Sequence, residues 1–457
     1  MQLPNQLIKS LDGIKGFDKE AFEKVHADPV QVTSIRINPL KWSKEEVAIH
    51  SPFAIDHSLT WSDYGYYLKA RPSFTFDPLF HAGCYYVQEA SSMFLEQALK
   101  QTVDLSKPIR VLDLCAAPGG KSTHIQSLIS KESILVSNEV IKSRANILKD
   151  NIIKWGCDNV VVTNNDPKDF AKLENCFDVI VIDAPCSGSG LFRRDEEAIN
   201  EWSENNVTLC SHRQQRILGD VWPALKKDGV LIYSTCSYSK EEDEDILDWI
   251  SQEFAVDSLQ LTVNDSWNIT KTNSEKGMHG YRFWPDKVMG EGFFLSCFRK
   301  KVGGVDFDSR SKIRITSVNK KEAALIQQWV NENEYFFFRK DETVYAFSKV
   351  LQENINLLLT SLYVLYSGTI VGQIFADKFV PDHALAMSPE VHHSITRIAL
   401  DYEKAIQYLQ KKEFAPGTTD KGWQLITWQG KNLGWIKNLG NRINNYYPKE
   451  LRILKES

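Results

Sequence analysis

No stretch of the 457 residues approaches the roughly 18 consecutive apolar residues that a membrane-crossing helix needs. The opening Met1-Gln2-Leu3-Pro4-Asn5-Gln6 carries neither a basic run nor the apolar block of a secretory leader, so a cytoplasmic protein without membrane contact is expected. The eight cysteines (84, 115, 157, 176, 186, 210, 236 and 297) include no Cys-x-x-Cys pair. That excludes a zinc ribbon or disulfide scaffold, and leaves free thiols and no metal as the expectation. Positive charge is not in excess either: 54 Lys and Arg stand against 59 Asp and Glu, a formal −5. A histone-like coat for polyanions is therefore ruled out, while a local basic patch is not. Internal repeats and low-complexity tracts are absent.

What is there is globular: 42% of residues are hydrophobic and 25% charged. A single core rarely grows past about 250–300 residues, so several domains are expected, one of them large. Residues 1–90 mix short helical and strand-like pieces without readable chemistry. From 107 onward short apolar strands recur at Ile109–Leu114, Ile134–Ser137, Val160–Thr163, Val179–Ile182 and Val230–Tyr233. Helical stretches at 122–130, 141–154, about 167–174 and 211–226 separate them. This alternation predicts a doubly wound parallel α/β sheet, and strands apolar throughout predict that both its faces are covered. Gly290–Phe298 reads as a late strand closing that domain at 302, and Lys300–Gly304 as a linker. From 303 to 385 the pattern predicts a small α+β module: a helix at 319–330, a hairpin at 335–348, a helix at 351–359 and a second hairpin at 363–379 turning at Ser367-Gly368. The last segment, 386–457, reads as a helix at 394–410 followed by short strands rich in Trp, Gly and Tyr.

In open α/β sheets ligands sit beyond the carboxyl ends of the strands, where the strand order reverses. The loop after the first strand, Pro118-Gly119-Gly120, lets backbone approach a ligand. It lacks the first glycine of a phosphate-binding Gly-x-x-x-x-Gly-Lys-Ser/Thr frame, which disfavours a nucleoside triphosphate. Glu139 and Asp166 end the next two strands, suiting ribose hydroxyls and an adenine amino group. Two further loops each carry a cysteine: Asp183-Ala184-Pro185-Cys186-Ser187-Gly188 and Ser234-Thr235-Cys236-Ser237. Adjacent strands lie about 4.8 Å apart, so both thiols can face one crevice. Such a pair suits attack on a pyrimidine: a thiolate adding to carbon 6 makes carbon 5 nucleophilic towards a sulfonium methyl group. Asp183 is placed to hold the base, and the other thiol to assist expulsion of the enzyme. Chemistry alone does not rank the two thiols.

Leu112–Lys121, Asp183–Gly188 and Tyr233–Ser237, with Ser34–Lys41 and Gln88–Ser92 before them, resemble the Sun-type RNA cytosine-5 methyltransferases over nearly the whole chain. Further matching stretches are Gly190–Asp195, Phe283-Trp284-Pro285, Gly290–Phe294 and Asn441–Arg452. The resemblance implies a Rossmann-like S-adenosylmethionine-dependent methyltransferase domain at 91–302, an N-terminal α+β extension (1–90) for RNA binding or support, and a PUA-like RNA-binding domain at 386–457. It implies 5-methylcytosine formation in small-subunit ribosomal RNA, with that RNA or the subunit as partner; a monomer is expected. By the same resemblance Cys236 is the nucleophile and Cys186 assists release, whereas DNA cytosine-5 methyltransferases would use the Pro-Cys cysteine, here Cys186. Cys115, Ala116, Ala117, Pro118, Gly119, Gly120, Lys121, Glu139, Asp166 and Asp183 would bind S-adenosylmethionine, with Lys121 and Asp183 also near the target base. The competing function is a non-catalytic ribosome-assembly RNA binder of methyltransferase fold, which retention of both cysteines speaks against.

The acidic run Glu241-Glu242-Asp243-Glu244-Asp245 reads as a solvated helix start without a role. From Phe414 to the end, seven basic residues face three acidic ones, with Trp423, Trp428, Trp435, Tyr446 and Tyr447 interleaved. The tryptophans read as the core of a small barrel, leaving Lys437, Arg442, Lys449 and Arg452 as RNA contacts. Arg193 and Arg194, beside the loop that carries Cys186, are expected at phosphates flanking the target.

Overall fold

The computed structural model describes residues 3–28, 30–304, 317–330, 335–376, 378–415, 417 and 419–455. The first part of the third predicted segment (305–316) and Glu456 of the C-terminal charge count lie outside them. Five strands run parallel at the centre: β1 (Arg110–Asp113), β2 (Ile134–Asn138), β3 (Val160–Thr163), β4 (Phe177–Asp183) and β5 (Leu225–Thr235). Their spatial order is β3-β2-β1-β4-β5, so the order reverses between β1 and β4. Beyond β5 the sheet continues antiparallel through Phe293–Lys300, His279–Phe283 and Thr270–Asn273.

Alternation along each strand feeds two separate cores. Val111, Leu135, Val160, Val162, Val179, Val181, Val230 and Ile232 enter one. Leu112, Val136, Val161, Ile180, Ile182, Leu231 and Tyr233 enter the other. That is why the strands read as unbroken apolar runs: neither face meets water. Among the described residues, no helix is long and apolar enough to cross a membrane.

The N-terminal residues build a four-stranded antiparallel sheet, ordered Ile55–Ser58, Gly65–Leu68, Thr33–Ile37 and Tyr85–Val87. The polar residues of Thr33–Lys41 reach into the catalytic domain. Arg36 is fully buried and donates to Gln88, to the Gly120 and Thr123 carbonyls and to the Thr123 hydroxyl. Asn38 and Lys41 donate to the Trp155 and Lys154 carbonyls at 2.9 and 2.7 Å, capping the helix Lys142–Trp155. The C-terminal residues share the N-terminal sheet's core: Ile35, Ile37, Trp42 and Tyr85 pack in one cluster with Ile406, Tyr408, Ile436 and Tyr447. The two ends of the chain thus support each other beside the catalytic sheet.

Two sequence expectations change here. The hairpin over 363–379 does not form; Val364–Ser367 instead pairs antiparallel with β3 on the open edge of the catalytic sheet. Its supposed partner, Thr369–Phe375, joins a different sheet with Thr343–Ser348 and Lys378–Pro381. An unpaired edge strand offers a row of backbone donors and acceptors, and filling it outweighs a local turn. The helix over 394–410 is shorter, Tyr402–Leu409, because Arg397–Ala399 pairs parallel with Gly422–Trp428, and Asp401 caps the helix by accepting from the Lys404 amide.

The N-terminal helix Lys19–Ala27 docks on the catalytic domain through Phe22 and His26, whose rings meet Tyr238. His26 is 2% exposed, and burial above all lowers its pKa to about 4, with Arg193 nearby adding to the effect. The folded value lies below the unfolded one, so the neutral ring's contribution is complete above about pH 6.5 and is lost as pH falls towards 4. At about pH 5 the loss amounts to about 2 kcal/mol. Thermal melts at about pH 7 and about pH 5 check this: the difference between them should shrink by that amount in His26→Leu.

Candidate active site

The crevice lies at the carboxyl ends of the parallel strands, centred on the reversal between β1 and β4. β1 ends on Asp113, fully buried, whose Oδ2 accepts from the Ser122 hydroxyl at 2.6 Å. Its Oδ1 is buried and lacks a hydrogen-bond partner. Burial, more than the neighbouring Asp183 and Glu139, raises its pKa to about 7. The loop Cys115–Pro118 then turns sharply at Gly119, where φ is +112°. Any side chain would be strained in that left-handed conformation, and a Cβ would lie 3.3 Å from Leu148. Gly120 starts the helix Gly120–Gln126.

Glu139, buried at the end of β2, accepts from the Ile141 amide at 2.9 Å and stands 3.5 Å from Arg144. Asp166, after β3, accepts from the Lys168 amide and pairs with Arg216 at 3.5 Å. Asn138, which nothing in the sequence singled out, joins these loops. Its amide donates to the Leu114 and Asn165 carbonyls, and its Oδ1 accepts from Thr163 and the Asn165 amide.

Asp183 ends β4 opposite Ser234 on β5. It is held from both sides: Ser234 donates to Oδ1 and Lys121 to Oδ2, each at 2.8 Å. Lys121 is in turn positioned over the Phe293 ring at 5.1 Å. Three residues past Asp183 comes Cys186, and two past Ser234 comes Cys236; their sulfurs are 3.1 Å apart. Both cysteines are partly accessible, unlike Cys84, Cys157, Cys176, Cys210 and Cys297, which are buried. The hydrogen bond with Cys236, then burial and the nearby Glu242 carboxylate, push the Cys186 thiol well above its usual range.

Backbone approaches this close need glycine. The Gly190 amide donates to the Cys236 carbonyl at 2.8 Å, and the Gly292 amide to the Gly190 carbonyl at 3.2 Å. A Cβ on Gly190 would stand 2.6 Å from the Gly292 oxygen and 2.7 Å from that of Cys236. Gly190→Ala is expected to lower stability by about 1–3 kcal/mol and to spread the two cysteine loops. Melting and thiol-reactivity measurements check both effects.

The acidic run after Cys236 is not a solvated helix start. Glu242 and Asp243 are fully buried and Glu244 is 5% exposed. Asp243 and Glu244 pair with Arg282, itself 2% exposed on the strand His279–Phe283. Thr235 also donates to Asp243, at 2.6 Å. Buried carboxylates persist because a buried cation and hydroxyl donors satisfy them. The sequence clue was the run's position, four residues past Ser237.

Arg193 also differs from expectation. Its side chain is 7% exposed and donates to the Gly290 and Val30 carbonyls, with Glu291 at 3.6 Å. The guanidinium bolts three loops together, its donors engaged by carbonyls of the protein. Arg194 is exposed. Lys437, Arg442, Lys449 and Arg452 lie on the C-terminal module, outside the crevice: Lys437 stands over the Trp423 ring at 5.1 Å, and Arg442 and Lys449 are exposed. Trp435 is core, 1% exposed, with its indole N–H on the Asp382 carbonyl, whereas Trp423 and Trp428 are half-buried.

A doubly wound sheet with this reversal, glycine turn and set of acidic strand ends defines a Rossmann-like methyltransferase domain, here preceded by an N-terminal domain and followed by a PUA domain. Residues 100–299 match the family model of the 16S rRNA methyltransferase RsmB/F, and the chain belongs to that family. Residues 3–90 match the N-terminal domain of 16S rRNA methyltransferase RsmF, and 396–453 the methyltransferase RsmF PUA domain. Ribosomal RNA small subunit methyltransferase F of Vibrio parahaemolyticus is 30% identical over 447 residues, covering 92% of this chain and 91% of its own. The protein of that name from Psychromonas ingrahamii is 29% identical over 475 residues, covering 98% and 97%. A crystal structure of a methyltransferase homologue from Pyrococcus horikoshii superposes with a TM-score of 0.52 at 27% identity, over 65% of this chain and all of that one. NSun6 from the same organism shares the fold, with a TM-score of 0.54 at 19% identity over 65% of this chain and 98% of its own.

Proposed function

We propose that the protein methylates carbon 5 of a cytosine in small-subunit ribosomal RNA, using S-adenosylmethionine and a covalent Cys236–cytosine adduct. The observation that carries this reading is the pair of accessible thiols 3.1 Å apart, beside an aspartate fixed by Lys121 and Ser234.

The crevice fits the methyl donor. Four carboxylates (Asp113, Glu139, Asp166 and Asp183) end or follow β1 to β4, and the buried Asp113 Oδ1 lacks a partner, acceptors suited to the amino and hydroxyl donors of that ligand. Cys115 to Lys121, Glu139, Asp166 and Asp183 would hold it. Bound there, S-adenosylmethionine supplies a methyl group on an electrophilic sulfonium. Cys236 adds to carbon 6 of the base, which makes carbon 5 nucleophilic. Asp183, fixed on both oxygens, faces the base edge with Lys121. Once carbon 5 carries the methyl group, its proton passes to a base, a water or a neighbouring side chain, and the C–H electron pair restores the carbon 5–carbon 6 double bond as the sulfur–carbon 6 bond breaks and Cys236 leaves as thiolate. Cys186, its sulfur 3.1 Å from that of Cys236, stands where it can assist that departure by hydrogen-bonding to the leaving thiolate.

RNA would be gripped by the C-terminal module, where an open groove of about 1270 Å³ is lined by Lys411, Lys412, Lys421 and Arg442 with several asparagines. Lys437, Lys449, Arg452 and Arg194 are the further contacts in this reading. The protein acts as a cytoplasmic monomer divided at 90, 302 and 385, with Val364–Ser367 lent to the catalytic sheet. Tritiated methyl transfer to ribosomal RNA from a strain lacking the gene tests the activity, and bisulfite sequencing locates the base. Label incorporated at one cytosine is the expected result. Tight RNA binding without label on any RNA or subunit would overturn it in favour of a binding role.

A further inference from the structure

We infer that Glu242 is the positioning residue that holds the two thiols opposite one another, one buried carboxylate gripping both cysteine loops. The β4–β5 ladder fixes the chain only as far as the pair Asp183–Ser234; beyond it the loops carrying Cys186 and Cys236 have no further strand pairing. Glu242 takes over at that point. Its Oε1 accepts from the Ser187 amide at 2.7 Å, and its Oε2 from the hydroxyls of Ser187 at 2.6 Å and Ser237 at 2.5 Å. Ser187 directly follows Cys186, and Ser237 directly follows Cys236. Gln214 braces the same arrangement, donating to the Pro185 carbonyl at 3.1 Å and reaching Glu242 at 3.5 Å. The Glu242 main chain is anchored by Tyr233, whose hydroxyl donates to its carbonyl at 2.7 Å. A carboxylate is suited to the task because it only accepts, on two oxygens, so amide and hydroxyl donors from both loops converge on it without competing. Loss of the carboxylate removes the three bonds that tie Ser187 and Ser237 together, leaving the loops joined farther along, by the Gly190 amide on the Cys236 carbonyl and the Tyr238 amide on Ser189, with the sulfurs, the aspartate and the glycine turn chemically intact.

The inference rests on the proposal that both thiols serve one base, so the experiment reads thiol geometry apart from methyl transfer. Diamide, an azo oxidant that takes both thiol hydrogens onto its N=N bond as the disulfide forms, is applied to full-length protein, and mass spectrometry follows the Cys186–Cys236 disulfide. Glu242→Ala is expected to form it at least about tenfold more slowly than wild type, with Glu242→Gln between the two. On ribosomal RNA the same variant is expected to lose about 100-fold in kcat, the scale of an ångström-sized misplacement, with KM for RNA within about threefold. Wild-type disulfide rate and kcat in folded Glu242→Ala would overturn the inference. Should Glu242→Ala not fold, Ser237→Ala, which removes one of the three bonds, decides: several-fold slower coupling supports the inference, and an unchanged rate overturns it. A wild type inactive on every RNA, but whose thiol coupling still depends on Glu242, would sink the functional reading and leave this one standing.

Discussion

Cys236→Ala is expected to abolish methyl transfer, by on the order of 10⁴-fold or more, and to eliminate the covalent complex with RNA carrying 5-fluorocytosine. The analogue reports on the nucleophile because fluorine on carbon 5 cannot leave as the proton does, so the sulfur–carbon 6 bond persists after attack. Cys186→Ala is expected to do the opposite on ordinary RNA: attack proceeds, departure slows, and a protein–RNA complex accumulates that resists denaturing electrophoresis. The asymmetry follows from the proposed roles: the two sulfurs are 3.1 Å apart, so both stand at one base and the two variants decide between them. An adduct that survives Cys236→Ala and disappears in Cys186→Ala would exchange the two roles.

Arg282→Met is expected to destabilise the protein by about 3–5 kcal/mol, because it leaves Asp243 and Glu244 buried without their cation. Thermal melting should register a fall of roughly 6–20 °C. The effect has a pH signature. Burial tends to raise the Glu244 pKa but Arg282 outweighs it and holds it low, so the contribution of that pair is present above the unfolded value and lost as pH falls through the folded one. Burial pushes Asp243 the other way, well above the usual carboxylate range, against the pull of Arg282. In the variant both groups can protonate instead of remaining charged, so its deficit against wild type should be largest near neutrality and shrink in acid. Adding Asp243→Asn to Arg282→Met should recover part of the loss. A single variant within about 1 kcal/mol of wild type at neutral pH would show that the pair does not matter to stability.

The chain itself determined the catalytic sheet and the chemistry at its edge. Five short β-branched runs buried on both faces carry their burial in their composition, and the loops that follow them display Gly119, Asp183, Cys186 and Cys236 at strand ends whatever the rest of the molecule does. Only the tertiary structure decided which charges serve that edge. A run of five acids reads as a solvated face until Arg282, 38 residues beyond Glu244, and Ser187, 55 residues before Glu242, are brought against it. Arg193 reads as a phosphate ligand until the carbonyls of Val30 and Gly290 close on it. Val364–Ser367 reads as half of a hairpin until the open edge of β3 supplies a better partner. In each case what a polar group does depends on the desolvated partner it meets, and that partner is set by long-range packing, which local sequence does not encode.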